Sequence, residues 1–428
     1  MIPYTRSLVS ETDLRRSPWR ALAAATALNA PLGSIYAFSV LLQPLEALLG
    51  LSRASLAFVF GLASAAFVVG TSLAPAVYGL APTPMLVLGC GIVSGGGIAL
   101  AASAGGLGQL AVGYGLLFGV GCGAGYILVQ QAVNLALTRR QGLANGYLVS
   151  LYPAGAMIAA PLFGWSARVY GVRVTLGALA AVLVVAGLLS AWLIAGSGVA
   201  LGTSAASAPP AAGERRRAVF WRLWLIFFLA ASAGLMVLSQ AAAIIAAYGG
   251  AATVAIYGTT FITAGVALAR VVGGWASDSL TPPAVAATAH GVALAGNVAL
   301  TLWPSPRVAL LALALVGLGY GLISGVTAAA VGIYWRRALY GRVASRLYTA
   351  WGAAAIVLPI AAGRLFDLTQ GYGAAIAIAA GGNALGVVVA LGLPRERPAR
   401  AVTAAAAGGA AASGAAATAV AARSAADG

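Results

Sequence analysis

Apolar residues run through this chain in stretches of about twenty positions or more, and the polar residues collect in short breaks between them. A helix rises about 1.5 Å per residue, so about 20 mainly apolar positions cross a bilayer. Windows of this kind lie near 20–42, 54–78, 84–104, 108–136, 143–167 and 173–195, and again near 220–248, 252–276, 283–303, 307–334, 342–365 and 372–393. The pattern predicts an all-α membrane protein of twelve transmembrane helices, six and then six.

The second six repeat the first. GVGCG at 119–123 recurs as GLGYG at 317–321, Arg139-Arg140 as Arg336-Arg337, and Pro161 as Pro359, each 197 or 198 positions later. Gly61 pairs with Gly258 in the same register. Each half has an even number of spans, so the two copies enter the membrane in the same direction, related by an axis along its normal. The expected organisation is a segment 1–18, a six-helix bundle 19–195, a Gly/Ala/Ser/Pro linker 196–218 ending in Arg215 to Arg217, a second bundle 219–394, and a low-complexity Ala-rich tail 395–428.

Composition agrees with the pattern, since 61% of the 428 residues are hydrophobic and 7% charged. The first apolar run is longer than a signal-peptide core and has no clean small-residue cleavage site, so it is expected to stay as helix 1. The net charge of +16 could suggest nucleic acid, but its distribution points to topology instead. The chain has no lysine, and with the N-terminus inside, 18 arginines fall on the cytoplasmic face against five opposite, with Arg270 left in the membrane. The positive-inside rule then places both termini in the cytoplasm of a bacterial-type inner (plasma) membrane. Cys90 and Cys122 fall within spans and read as small packing residues. No metal-spaced His/Cys cluster, nucleophile–base set or phosphate loop is present, which excludes the familiar soluble enzyme chemistries and calls for no cofactor or metal.

Arg270 stands out because a cation within an apolar span is costly and is usually kept for an anion that comes to meet it. Arg does not deprotonate in practice, and its planar fork accepts a carboxylate through two parallel hydrogen bonds. It lies eight residues before Asp278, about 12 Å inside the helix end and near the bilayer midplane. Tyr36, Tyr126, Tyr152 and Tyr320 could add hydroxyl donors while their rings exclude water, and Asn29 and Gln130 are weaker polar candidates. His290 reads as an interfacial residue at the start of helix 9.

Two six-helix halves, the 198-residue repeat and the linker resemble the major facilitator superfamily over roughly residues 18–394. That resemblance implies two bundles rocking about a central site. GGWASD at 273–278 is similar to the superfamily's G-x-x-x-D loop, with Gly274 for close packing and Asp278 for capping or pairing at a helix end. The first-half equivalent, VYGLAPTP at 77–84, carries no charge. A narrower resemblance, to the oxalate/formate antiporter family and the monocarboxylate transporters, rests on YAFSVLLQPL at 36–45, RRQGLANG at 139–146, YPAGAMIAAPLFG at 152–164 and LYTAWG at 347–352. It implies that Arg270 holds a substrate carboxylate and that Tyr36, Tyr126 and Tyr152 line the site. Where the oxalate pattern Y-T-A-K-G places a second cation, this chain has Trp351.

With one charge to meet, a monocarboxylate of the formate, acetate, lactate or pyruvate type is the expected cargo. An oxalate/formate-type dicarboxylate exchanger and a major facilitator exporter of unrelated small molecules stand as alternatives. With no acid in any spanning window, exchange, facilitated diffusion and symport through another group all remain open. The expected partners are the small organic anion and the lipid bilayer, with the protein a monomer.

Overall fold

Proline and glycine punctuation sets the helix ends. The computed structural model describes residues 17–202 and 216–396. Most of the linker, nearly all of the tail and Arg6, Arg15, Arg16, Arg215, Arg397, Arg400 and Arg423 lie outside the described residues. The first half comprises α1 (Pro18–Leu49), α2 (Arg53–Leu73), α3 (Thr83–Ala102), α4 (Leu107–Ala136), α5 (Gln141–Val169) and α6 (Val172–Ala195). The second comprises α7 (Arg217–Ala247), α8 (Ala252–Ala276), α9 (Pro282–Leu302), α10 (Pro306–Tyr334), α11 (Tyr340–Thr369) and α12 (Gly373–Leu391). Pro18, Pro84, Pro282 and Pro306 each fall in a first helical turn, where the missing N–H costs nothing.

Ten helices in the described residues are long and apolar enough to cross a membrane. The other two predicted spans are α8, whose apolar stretch is shorter at Thr260–Ala276, and α11, whose first turns carry Arg342 and Arg346. Large apolar side chains cover the outside: α6 alone exposes Val182, Val185, Leu188, Leu189 and Trp192. Apolar surface on that scale belongs in hydrocarbon rather than water. The protein is an all-α membrane protein built as two six-helix bundles.

Two helices depart from regularity. In α1, Pro31 removes one ladder donor, the backbone tightens to 3-10 turns over Gly33–Leu41, and α-helix resumes at Leu42. The helix therefore continues past its expected end near residue 42 and carries Glu46 in its last turns. In α4, residues Ala111–Phe118 widen to π geometry, and the Tyr114 hydroxyl reaches the Ile35 carbonyl in the tightened part of α1 at 3.4 Å.

The two halves meet where α5 packs on α8 and α10, and where α11 packs on α2 and α4. The α5–α8 crossing depends on glycine. A Cβ on Gly274 would stand 2.3 Å from the Gly142 carbonyl oxygen and 2.6 Å from the Gly146 Cα, so neither helix tolerates a side chain there. Asp278, just past α8, accepts hydrogen bonds from the backbone N–H groups of Gly142 (2.8 Å) and Leu143 (2.9 Å), capping the start of α5 from the opposite half.

In the first half, where VYGLAPTP offers no acid, Gln131 of α4 takes over: its side-chain oxygen accepts from Gly341 N–H at 2.6 Å at the start of α11, and its amide donates to the Arg337 carbonyl at 3.0 Å. His290 sits eight residues into α9, fully buried, with Nδ1 2.8 Å from the Asn383 side-chain oxygen of α12. It is thus a packed interhelical residue and not one at an interface, because α9 begins at Pro282.

Candidate functional site

Arg270 lies in the last third of α8, six residues before its end and 6% exposed, and its surroundings are built largely by one proline and one glycine. Pro153 on α5 has no N–H, so the carbonyl of Val149, four residues earlier, has no ladder partner. Arg270 supplies one: its Nη1 donates to Val149 O at 2.8 Å, across the boundary between the halves. Gly234 on α7 gives up its side chain to a ring, since a Cβ there would lie 2.2 Å from Cγ of Tyr320. Tyr320 on α10 can then stand beside Arg270, with the guanidinium carbon 5.3 Å from the ring centroid.

The hydrogen-bond bookkeeping leaves donors over. The Tyr320 hydroxyl accepts from Arg270 Nη2 at 3.1 Å and from Trp351 Nε1 at 3.0 Å, which occupies both of its lone pairs. Its own hydrogen has no acceptor among the described residues. Arg270 Nε is buried without a partner among the described residues. The Tyr36 hydroxyl makes no hydrogen bond among the described residues, and Tyr126 pairs with Tyr348 across the halves, oxygen to oxygen at 2.6 Å, leaving one hydrogen of the pair over.

These groups surround one small cavity. Its lining comprises Arg270, Tyr36, Tyr126, Tyr152, Tyr320 and Trp351, together with Phe67, Val149, Phe227, Ser324 and Tyr348. Only about 20 Å³ of it can take the centre of a water molecule, room for one or two waters. The rings interlock: Tyr36 meets Tyr152 and Trp351 at 6.2 Å each, and Phe67 meets Tyr126, Tyr152 and Trp351 at 5.6–5.8 Å. The lining has one permanent cation and no acid among the described residues. Such a pocket presents hydrogen-bond donors to whatever enters it, which suits an anion.

Six of the seven residues singled out as a binding set come together in this way. Asn29 does not: it is fully buried in α1 away from the lining, with both amide atoms lacking a partner among the described residues. Gln130 is likewise buried outside the lining. Among the described residues, no group of three or more His, Cys, Asp or Glu side chains could hold a metal ion, and both cysteines are free and buried.

The family model of the Major Facilitator Superfamily matches residues 22–330, well over half of the chain. The chain belongs to the Major Facilitator Superfamily. It is a membrane transporter, not an enzyme. A solved major facilitator transporter, FucP in the outward conformation, is similar with a TM-score of 0.69 and 17% identity, over 86% of this chain and 97% of that one. The proton:xylose symporter XylE bound to 6-bromo-6-deoxy-D-glucose gives 0.66 and 14%, over 89% and 96%. The human organic anion transporter MFSD10 gives 0.66 and 16%, over 87% and 99%. At these identities the likeness carries the fold alone. No curated protein sequence matches the chain.

Within this major facilitator fold, five contributors to the cavity were not singled out from sequence, one of them Ser324, a small hydroxyl on α10 that no motif marks. Tyr348 sits one helical turn before Trp351 and faces the same way, so the spacing within LYTAWG held the signal. The Val149 carbonyl was signalled by Pro153. Phe67 and Phe227 are ordinary aromatics in apolar spans, and nothing local distinguishes them.

Proposed function

We propose that this protein carries a small organic anion, most readily a monocarboxylate of the formate, acetate, lactate or pyruvate type, by alternating access, with Arg270 binding the carboxylate. The observation that supports this reading is the buried guanidinium whose Nε–H has no partner among the described residues, facing a cavity with one permanent cation and no acid among those residues. A carboxylate arriving there meets Arg270 Nε–H and the hydroxyl hydrogens of Tyr320 and Tyr36. It competes with the Val149 carbonyl for the rest of the guanidinium.

In the empty carrier Arg270 ties the two halves together itself; with cargo bound, the carboxylate takes over that role. The ring walls of Tyr36, Tyr152, Phe67 and Trp351 shield the ion pair from water and limit cargo size. The arginine-rich face, held shut by Asp278 and Gln131, is the cytoplasmic one on the positive-inside argument.

Charge counting favours one carboxylate over two. A dianion opposite Arg270 would keep one negative charge uncompensated in a low-dielectric site, at a cost of several kcal/mol. The position of a second cation is filled by Trp351, which bonds to Tyr320 and brings no charge. A sugar, the cargo named for XylE, carries no charge to balance the buried guanidinium, and the lining has no carboxylate among the described residues to bind its hydroxyl groups.

Counterflow in proteoliposomes with formate, acetate, lactate, pyruvate, oxalate and xylose, at two imposed pH gradients, tests the reading. Trans-stimulated uptake of a monocarboxylate, with oxalate and xylose at background, is expected. Stimulation by oxalate or xylose alone would refute it. Since no carboxylate among the described residues lines the cavity to carry a proton, exchange is expected to vary little between the two gradients.

A further inference from the structure

A second cavity, of about 700 Å³, opens between the starts of α7 and α11 on the arginine-rich face. Part of its lining is aromatic: Trp221 and Trp224 meet edge-on at 5.9 Å, and Trp224 is fixed by stacking on Phe228 and by donating from Nε1 to Thr349 Oγ1 at 2.9 Å. Its rim is cationic. Arg217, Arg342 and Arg346 form no ion pair or side-chain hydrogen bond among the described residues, whereas the neighbouring Arg216 is neutralised by Glu396. Trp221 is 52% exposed.

We infer that this cavity is a binding site for the headgroup of an anionic phospholipid of the phosphatidylglycerol class. Three observations support that occupant over a soluble anion. The cavity lies where two spanning helices begin, the depth at which lipid headgroups sit and tryptophans concentrate. Aromatic rings beside three guanidinium groups without a partner among the described residues match an amphiphile, with phosphate on the arginines and glycerol and first acyl carbons on the rings. Basic pockets between spanning helices at this level are the kind that select anionic headgroups. Because α11 also supplies Gly341 to Gln131 and Tyr348 to Tyr126, a lipid held there braces the helix that closes the two halves against each other.

The test uses the full-length protein in detergent, with lipid retention read by native mass spectrometry and by quenching of tryptophan fluorescence. Dibrominated phosphatidylglycerol is compared with dibrominated phosphatidylcholine, and inorganic phosphate serves as competitor. Phosphatidylglycerol is expected to bind about tenfold more tightly than phosphatidylcholine, with millimolar phosphate unable to displace it. The double variant Arg342→Gln/Arg346→Gln should abolish the preference. Trp221→Phe, a milder change at an exposed ring, should keep the fold and the preference while lowering the quenching. Equal binding of the two lipids, an unchanged preference in the double variant, or displacement by phosphate would each overturn the proposal.

Discussion

At position 153 the chain has no backbone N–H to give, so the Val149 carbonyl one turn earlier is left for the Arg270 guanidinium. Pro153→Ala restores the donor and draws the carbonyl back into the α5 ladder. On the proposed mechanism this frees Arg270 for cargo and loosens the empty carrier's own closure. The half-saturating concentration in exchange should fall about threefold to tenfold, as for one charge-assisted hydrogen bond shared with a competitor, while net uptake into empty vesicles slows relative to exchange. Equal losses in both assays would indicate only a damaged helix.

Much of this residue-level arrangement was legible in the sequence. A charged side chain inside an apolar run is conspicuous, and tyrosines on α1, α4, α5 and α10 were candidates because of the spans they occupy. Asn29 looked equally suitable, but burial within α1 and exposure to the central cavity differ by a rotation about the helix axis. In α1 the tightened turns over Gly33–Leu41 also change the angle between Asn29 and Tyr36 about the helix axis, which no periodicity reveals.

At the scale of elements, helix existence followed from apolar length and helix ends from proline and glycine, so twelve spans could be placed without coordinates. The extension of α1 through Glu46 and the π widening of α4 could not, since both answer to packing between helices distant in sequence. GGWASD carried a more specific message. Asp278 offers both carboxylate oxygens to two of the orphan N–H groups at the start of α5, where the helix dipole also favours negative charge. Asp278→Ala should remove about 1–2 kcal/mol from the closed arrangement of the arginine-rich face. Spin labels on the facing ends of α5 and α8 should show a growing long-distance population by pulsed electron resonance. An unchanged distance distribution would mean that the Gly274 crossing holds the face shut without the cap.

At the scale of the whole molecule, bonds between the halves occur at two depths. Asp278 and Gln131 act at the arginine-rich ends of the helices, and Arg270–Val149 and Tyr126–Tyr348 act around the central cavity. Arg270 of the second set is also the group proposed to meet the cargo, so binding and closure draw on the same guanidinium. A ligand changes the balance between two states only through its different affinity for them, and a carboxylate that replaces the Val149 carbonyl meets that condition.

The most direct measurement is counterflow of a labelled monocarboxylate by wild-type protein and Arg270→Gln in matched proteoliposomes, with thermal unfolding and light scattering confirming that both are folded. The account predicts trans-stimulated uptake by the wild type and a loss of at least a hundredfold in the variant, as for removing a buried charge partner. Monocarboxylate exchange surviving in Arg270→Gln at near wild-type rate would contradict it.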